Sequence, residues 1–244
     1  MSTCPGVGES SVNRRSPTTV TSGVAHDGEM EFRVLGNVDV LDDTGSVAIG
    51  GPRQRLLLAT LLAARRQVVS LEALTEALWG DEPPSTARAT LQTSVSKLRR
   101  LVASSGGVTL DSRPPGYLLD VPTETVDADR FERDLVAARG LLAQRPADAI
   151  ELLDRALGCW VGAAFAGFAD LPWAQSEAIR LEELRLQAVE DRNEARLALG
   201  DDAAVISELE GLTRAEPLRE RLWCLLMVAL QRSGDDFGGC GIAW

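Results

Sequence analysis

The sequence predicts two folded regions of different class: an α+β region over 30–122, then an all-α region over 123–234. Short alternations of apolar and polar residues, broken by Gly, Asn, Asp and Pro, occur before residue 122 and vanish from Asp127 onward. From there, five segments carry apolar residues at helical spacing, separated by Gly, Pro or Asp. Charge divides the chain at the same place. Residues 30–122 carry ten basic and ten acidic side chains, whereas 123–244 carry 13 and 23, so nearly all of the net −11 belongs to the helical region.

Residues 1–29 are rich in Ser, Thr, Gly and Pro and hold too little apolar surface to offset ordering entropy, so they are expected to be disordered. Patterned sequence opens at Met30, a candidate for the true start. Phe32 and Val34, Val38 and Val40, and Val47 and Ile49 predict three short antiparallel strands separated by Gly36-Asn37 and Asp42–Gly45. Leu57, Leu58, Leu61 and Leu62 form a helical stripe in PRQRLLLATLLAARR. QVVS reads as a strand, Ser70 as the N-cap of the helix LEALTEALW, and Gly80 as its stop. Pro83-Pro84 forbids helix in the loop after it.

Thr86–Ala103 is the most informative stretch. It contains Lys97, the only lysine of an acidic chain, and no Asp or Glu. Ala87, Leu91, Val95, Leu98 and Val102 share one helical face, while Ala89, Thr93, Ser96 and Arg100, flanked by Gln92 and Lys97, share the opposite one. VTLDSRPPGYLLDV then reads as a hairpin turning at Ser112–Gly116. Strands, helix, strand, helix, loop, helix and hairpin make a winged helix-turn-helix. The five later helical segments have Ala recurring beside Leu, a loose match to tetratricopeptide-like repeats. The apolar connection VGAAFAGFADLPW reads as a plug under the helices.

Composition argues against several function classes. The only histidine, His26, lies in the polar N-terminal stretch, and neither G-x-x-x-x-G-K-[ST] nor G-x-G-x-x-G occurs. Cys4, Cys159, Cys224 and Cys240 form no C-x-x-C pair. No apolar run resembles a secretory signal or a membrane span. The expectation is a cytoplasmic protein without catalytic residues, metal or cofactor. DNA binding accounts for the basic segment. A helix in the major groove needs cations for phosphates and short polar groups for base edges, and carboxylates there would repel the backbone. Gln92, Thr93, Ser96 and Lys97 fit base-facing or groove-facing roles. Arg88, Arg99 and Arg100 fit phosphate contacts, and Arg113 at the hairpin tip fits a contact by the wing. An ordinary amphipathic helix with a basic outer face would look the same in isolation; the order of elements around it favours DNA. The acidic helical region points to a protein partner.

The stretches FRVLG, GGPRQRLLLATLL, LTEALWGDEPPSTARATLQTSVSKLRRLV, RPPGYLL, DADRFERDL, LPWAQSEAIRLEELRLQAVEDRNEARLALG and PLRERLWCLLMVALQRSG occur in this order over 30–234. Together they resemble the Streptomyces antibiotic regulatory protein family. The resemblance implies an OmpR-like winged helix joined to a bacterial transcriptional activation domain. It further implies activation of antibiotic biosynthetic genes through direct repeats near the −35 element and contact with RNA polymerase. Thr86–Ala103 would be the recognition helix. Gly80, Asp81, Glu82, Pro83 and Pro84 would belong to the loop facing polymerase. Thr93-Ser94 departs from the larger residues common at these positions.

A competing reading is a protein-interaction module in which the winged helix no longer binds DNA or serves for docking. After QRSG the family continues into further helices, whereas residues 235–244 read as an irregular tail of a truncated or frameshifted end. Leu218, Leu222, Trp223, Leu225, Leu226, Met227, Val228, Ala229 and Leu230 make more than one apolar stripe in the last helix. Self-association or marginal stability of the helical region is expected, with 30–122 as the part that stays folded.

Overall fold

The computed structural model describes residues 30–103 and 106–237, the last three as backbone only. The expectations for 1–29 and for the end of the tail lie outside the described residues. Strands β1 (Glu31–Arg33), β2 (Asp39–Asp42) and β3 (Gly45–Ser46) form an antiparallel sheet in that order, with Phe32 opposite Val40. The third strand lies slightly before Val47 and Ile49, yet Ile49 is still buried.

Helix α1 (Pro52–Ala63) begins with Pro at its first turn, where a missing N–H costs no hydrogen bond. It is buried continuously from Leu57 to Leu62, because α2 and α3 pack on it from one region and α6 from the other. Strand β4 (Val69–Ser70) leads into α2 (Leu71–Trp79), whose predicted cap forms: the Ser70 hydroxyl accepts from the Ala73 N–H at 3.0 Å. Gly80 ends the helix at φ +64°, a conformation that favours glycine. Helix α3 (Ala87–Val102) comes next, then β5 (Thr109–Arg113) and β6 (Gly116–Asp120), which with β4 make a second sheet in the order β4-β6-β5. The strands run closer to the tip than predicted, leaving Pro114-Pro115 as the turn. Gly116 is required there: a Cβ would lie 1.8 Å from the Val69 carbonyl oxygen.

Helices α4 (Asp127–Arg139), α5 (Pro146–Gly158), α6 (Pro172–Ala198), α7 (Asp202–Ala215) and α8 (Glu220–Phe237) are the five predicted segments. Helix α8 continues through Phe237, into the stretch read from sequence as irregular tail.

The two regions pack against each other. One hydrophobic core runs from Met30 to Ala188 and includes Phe32, Leu57, Leu119, Phe131, Leu153 and Phe165. Two features make it continuous. Asp127, at the start of α4, is buried and accepts from the main-chain N–H groups of Val34, Leu35 and Ala128 at 2.8–3.0 Å. Burial pushes its carboxyl up to about 6, against the pull of these three donors. The predicted plug is the second feature. Phe165 is fully buried, and the N–H groups of Val161, Phe165 and Ala166 donate to the carbonyls of Leu35, Val34 and Gly36. A smaller second core, of Leu197, Val205, Leu209, Leu222, Leu226 and Ala229, holds α7 and α8 to the end of α6.

An ion network reinforces the junction. Arg65 and Arg66, read from sequence as the end of a helix, lie beyond α1 with φ of +48° and +63°. This left-handed backbone costs about 1–2 kcal/mol per residue. It turns both guanidiniums onto the helical region, where Arg65 pairs with Asp129, Glu132 and Glu177, and Arg66 with Asp129.

Candidate nucleic-acid interface

Helix α3 is anchored by the face the sequence predicts. Ala87, Leu91, Val95, Leu98 and Val102 are all buried. Anchored this way, the helix presents Ala89, Gln92, Thr93, Ser96, Lys97 and Arg100 to solvent. Thr93 Oγ donates to the Ala89 carbonyl at 2.9 Å, and Ser94 Oγ to that of Thr90 at 3.0 Å. With its proton engaged in the helix, Thr93 offers outward a lone pair and a methyl group. These suit an amino group of adenine or cytosine, or a thymine methyl.

The two flanks of α3 differ. Helical spacing puts Gln92, Ser96 and Arg99 towards the hairpin, and Thr90, Ser94 and Lys97 towards α1. Arg99 is exposed but engaged. Its Nε donates to the Leu110 carbonyl at 2.7 Å, a terminal nitrogen donates to Ser112 Oγ at 2.8 Å, and its guanidinium lies 5.8 Å from the Tyr117 ring centroid. Arg99 therefore ties α3 to the wing. Arg113, at the hairpin tip, keeps a largely exposed side chain 3.5 Å from Asp111. On the other flank, a cleft is lined by Gly51, Pro52, Arg53 and Gln54 from the start of α1 and by Thr90, Thr93, Ser94 and Lys97 from α3.

Gly80, Asp81, Glu82, Pro83 and Pro84 are all exposed between α2 and α3. Gly80, Asp81 and Pro83 line a cleft with Glu72, Glu76 and Arg88, so Arg88 lies among carboxylates at the start of α3.

Electrostatics separates the two regions more sharply than net charge does. Among the described residues, every arginine beyond residue 122 lies within 4.0 Å of a carboxylate oxygen. In the winged helix only Arg33, Arg65, Arg66 and Arg113 do so. Arg53, Arg55, Arg88, Lys97, Arg99 and Arg100 remain without an ion-pair partner among the described residues. Arg88 has the carboxylates of Glu72, Glu76 and Asp81 about it, whereas the field of the others is not offset by a paired carboxylate.

Arg53, which lines the cleft between α1 and α3, is the site candidate that sequence reading missed. A signal was present: residues 44–71 carry four arginines and no acid. It was obscured because Arg65 and Arg66, in the same stretch, serve the fold.

Among the described residues no group of His, Cys, Asp and Glu is arranged to hold a metal ion, and no helix is long and apolar enough to cross a membrane.

Comparison with known proteins finds two family models in succession along the chain. Residues 46–119 match the family model "Transcriptional regulatory protein, C terminal", and 126–236 match "Bacterial transcriptional activator domain". The regulatory protein AfsR of Streptomyces coelicolor is 41% identical over 215 residues, covering 85% of this chain and 21% of AfsR. The transcriptional regulator RedD of the same organism is 34% identical, covering 85% of this chain and 61% of RedD. A solved structure, Mycobacterium tuberculosis EmbR in complex with a low-affinity phosphopeptide, superposes with a TM-score of 0.78 at 35% identity, over 85% of this chain and 56% of EmbR. The chain thus spans about a fifth of AfsR and a little over half of RedD and EmbR; AfsR is named as a regulatory protein, and RedD and EmbR as transcriptional regulators. With both family models in order along one chain, and AfsR and RedD among its relatives, the protein belongs to the Streptomyces antibiotic regulatory protein family.

Proposed function

We propose that this chain is a sequence-specific DNA-binding transcriptional activator. The observation that carries the reading is the set of uncompensated cations on and beside α3, in a protein whose helical region pairs all of its described arginines. Thr93, Ser96 and Gln92 read base edges; Arg100 and Arg113 meet phosphates. Arg99 acts through the wing that it holds, and Arg88 lies closer to the loop than to the groove face. The family membership supports a target among secondary-metabolite genes, with two copies side by side on direct repeats near the −35 element. Asp81 and Glu82, exposed and without an ion-pair partner among the described residues, suit a protein surface better than a phosphate backbone. They form the contact to RNA polymerase, and the acidic helical region offers it further surface.

The test is binding of the purified protein to its own upstream DNA, with footprinting. Protection of a direct repeat, together with an affinity that falls steeply with salt, is the expected result. Protection of an inverted repeat alone would sink the tandem arrangement. An affinity insensitive to salt would favour the interaction-module reading instead.

A further inference from the structure

The wing flanks α3 on one side only. We infer that the cleft on its other side, between the first turn of α1 and α3, is a second phosphodiester-binding site, gripped by Arg53 and Lys97. This rests on the DNA-binding reading and extends it to an element outside the helix-turn-helix and wing.

Three observations support the site. First, Arg53 and Lys97 line one cleft from opposite walls and have no carboxylate partner among the described residues. Two like charges facing a shared cleft repel each other, and an anion between them removes that cost. Second, Arg53 is held in place without being neutralised: its guanidinium lies 5.8 Å from the Trp79 ring centroid. Cation–π contact restricts the side chain while leaving its charge and its donors available. Third, the cleft adjoins the face that would read bases, since Thr93 lines both. A helix lying in the major groove has a phosphate strand on either side. The wing, tied by Arg99, faces one strand, and the Arg53–Lys97 cleft faces the other. The ligand is the phosphodiester backbone of duplex DNA, recognised by charge and without sequence preference.

The test uses the full chain, a duplex selected from a randomised pool, and an unrelated duplex of equal length. Arg53→Ala, Arg53→Lys and Arg100→Ala are compared with the parent protein across a salt series. Losing one phosphate contact should lower the slope of log affinity against log salt by about 0.9, and weaken binding roughly eightfold near 0.1 M salt. Arg53→Ala should show this loss on both duplexes, with thermal stability unchanged, and Arg53→Lys should recover most of it. If Arg100→Ala is impaired but Arg53→Ala keeps the parent slope and affinity, the second site is wrong and the DNA reading stands. Weaker binding by Arg53→Ala at an unchanged slope would mean that Arg53 acts by packing on Trp79, which also overturns the site. A parent protein with no salt-dependent binding to either duplex would remove both readings together.

Discussion

Arg99 donates its Nε–H to the main-chain carbonyl of Leu110 at 2.7 Å, joining α3 to β5, the first strand of the wing. Its other contacts, to Ser112 and the Tyr117 ring, are also within the hairpin. Arg99→Ala should therefore weaken DNA binding through a loosened wing, by less than the roughly tenfold that about 1.5 kcal/mol for a hydrogen bond to a charged group would give if fully transmitted, because the hairpin keeps its strand pairing. The slope of affinity against salt should fall by well under the 0.9 expected of a lost phosphate contact. Arg113→Ala should cost less in the Arg99→Ala background than alone, as coupled positions do in a double-mutant cycle. A full unit of lost slope would place Arg99 on the DNA.

Arg100 and Thr93 lie on the same exposed face of α3 but should behave differently. Arg100→Ala should weaken binding to all duplexes to a similar degree. Thr93→Ala should alter sequence preference, with a penalty of about 1–3 kcal/mol at one base pair. A selection in which Arg100→Ala changed the preferred sequence, and Thr93→Ala did not, would reverse the orientation of the helix.

The loop carboxylates offer a separation of function. Replacing Asp81 and Glu82 together with Ala should leave DNA affinity nearly unchanged and lower transcription in a reconstituted polymerase assay. Equal loss in both measurements would assign the loop to DNA or to the fold.

The junction of the two regions should matter for stability. Asp129 is almost fully buried and is paired with both Arg65 and Arg66. Arg65→Ala should cost about 1–3 kcal/mol, and the double replacement of Arg65 and Arg66 about 3–5 kcal/mol, because Asp129 would then be buried without a partner. Burial raises the Glu132 carboxyl, but hydrogen bonds from Arg180 and Arg65 outweigh it and hold the group below its ordinary 4.5. Its contribution is complete above that value and is lost as the pH falls below it. Chemical denaturation from pH 7 to pH 3 should show Arg65→Ala losing less stability on acidification than the parent. Limited proteolysis should leave a core extending past residue 122 to near 190. A stable fragment ending at 122 would contradict the shared core.

The outer face of α8 should drive association. Leu222, Leu226 and Ala229 are buried, whereas Trp223, Met227 and Leu230, at spacings of four and three, are 42%, 59% and 48% exposed. We propose that this stripe mediates self-association. Replacing Trp223 and Met227 with Lys should shift the protein towards a monomer in sedimentation, with α7 and α8 still folded. An unchanged distribution would remove α8 from the interface.

Much of this architecture is legible in the sequence because the deciding signals are local. Ser70, Gly80 and Pro83-Pro84 delimit α2 and its loop, and the spacing of Leu91, Val95 and Leu98 orients α3. What the sequence hides is long-range. The carboxylate of Asp127 reads as one more acid at a helix start, yet it meets Val34 and Leu35 across the fold. Arg65-Arg66 looks like a helical basic pair, and only the left-handed backbone sends it to α4 and α6. Arg99 and Arg100 are neighbours of identical chemistry. Which one the hairpin occupies depends on where β5 returns, and no spacing in the sequence encodes that.

The most direct test of DNA recognition by α3 is the salt dependence of affinity for a selected duplex, measured beside an unrelated duplex and repeated with Arg100→Ala. The expected result is a linear fall of log affinity with log salt, a selected site bound about 10³-fold or more tightly than the unrelated one, and a slope reduced by about 0.9 in the variant. Equal affinity for both duplexes, or a slope near zero in the parent protein, would contradict it.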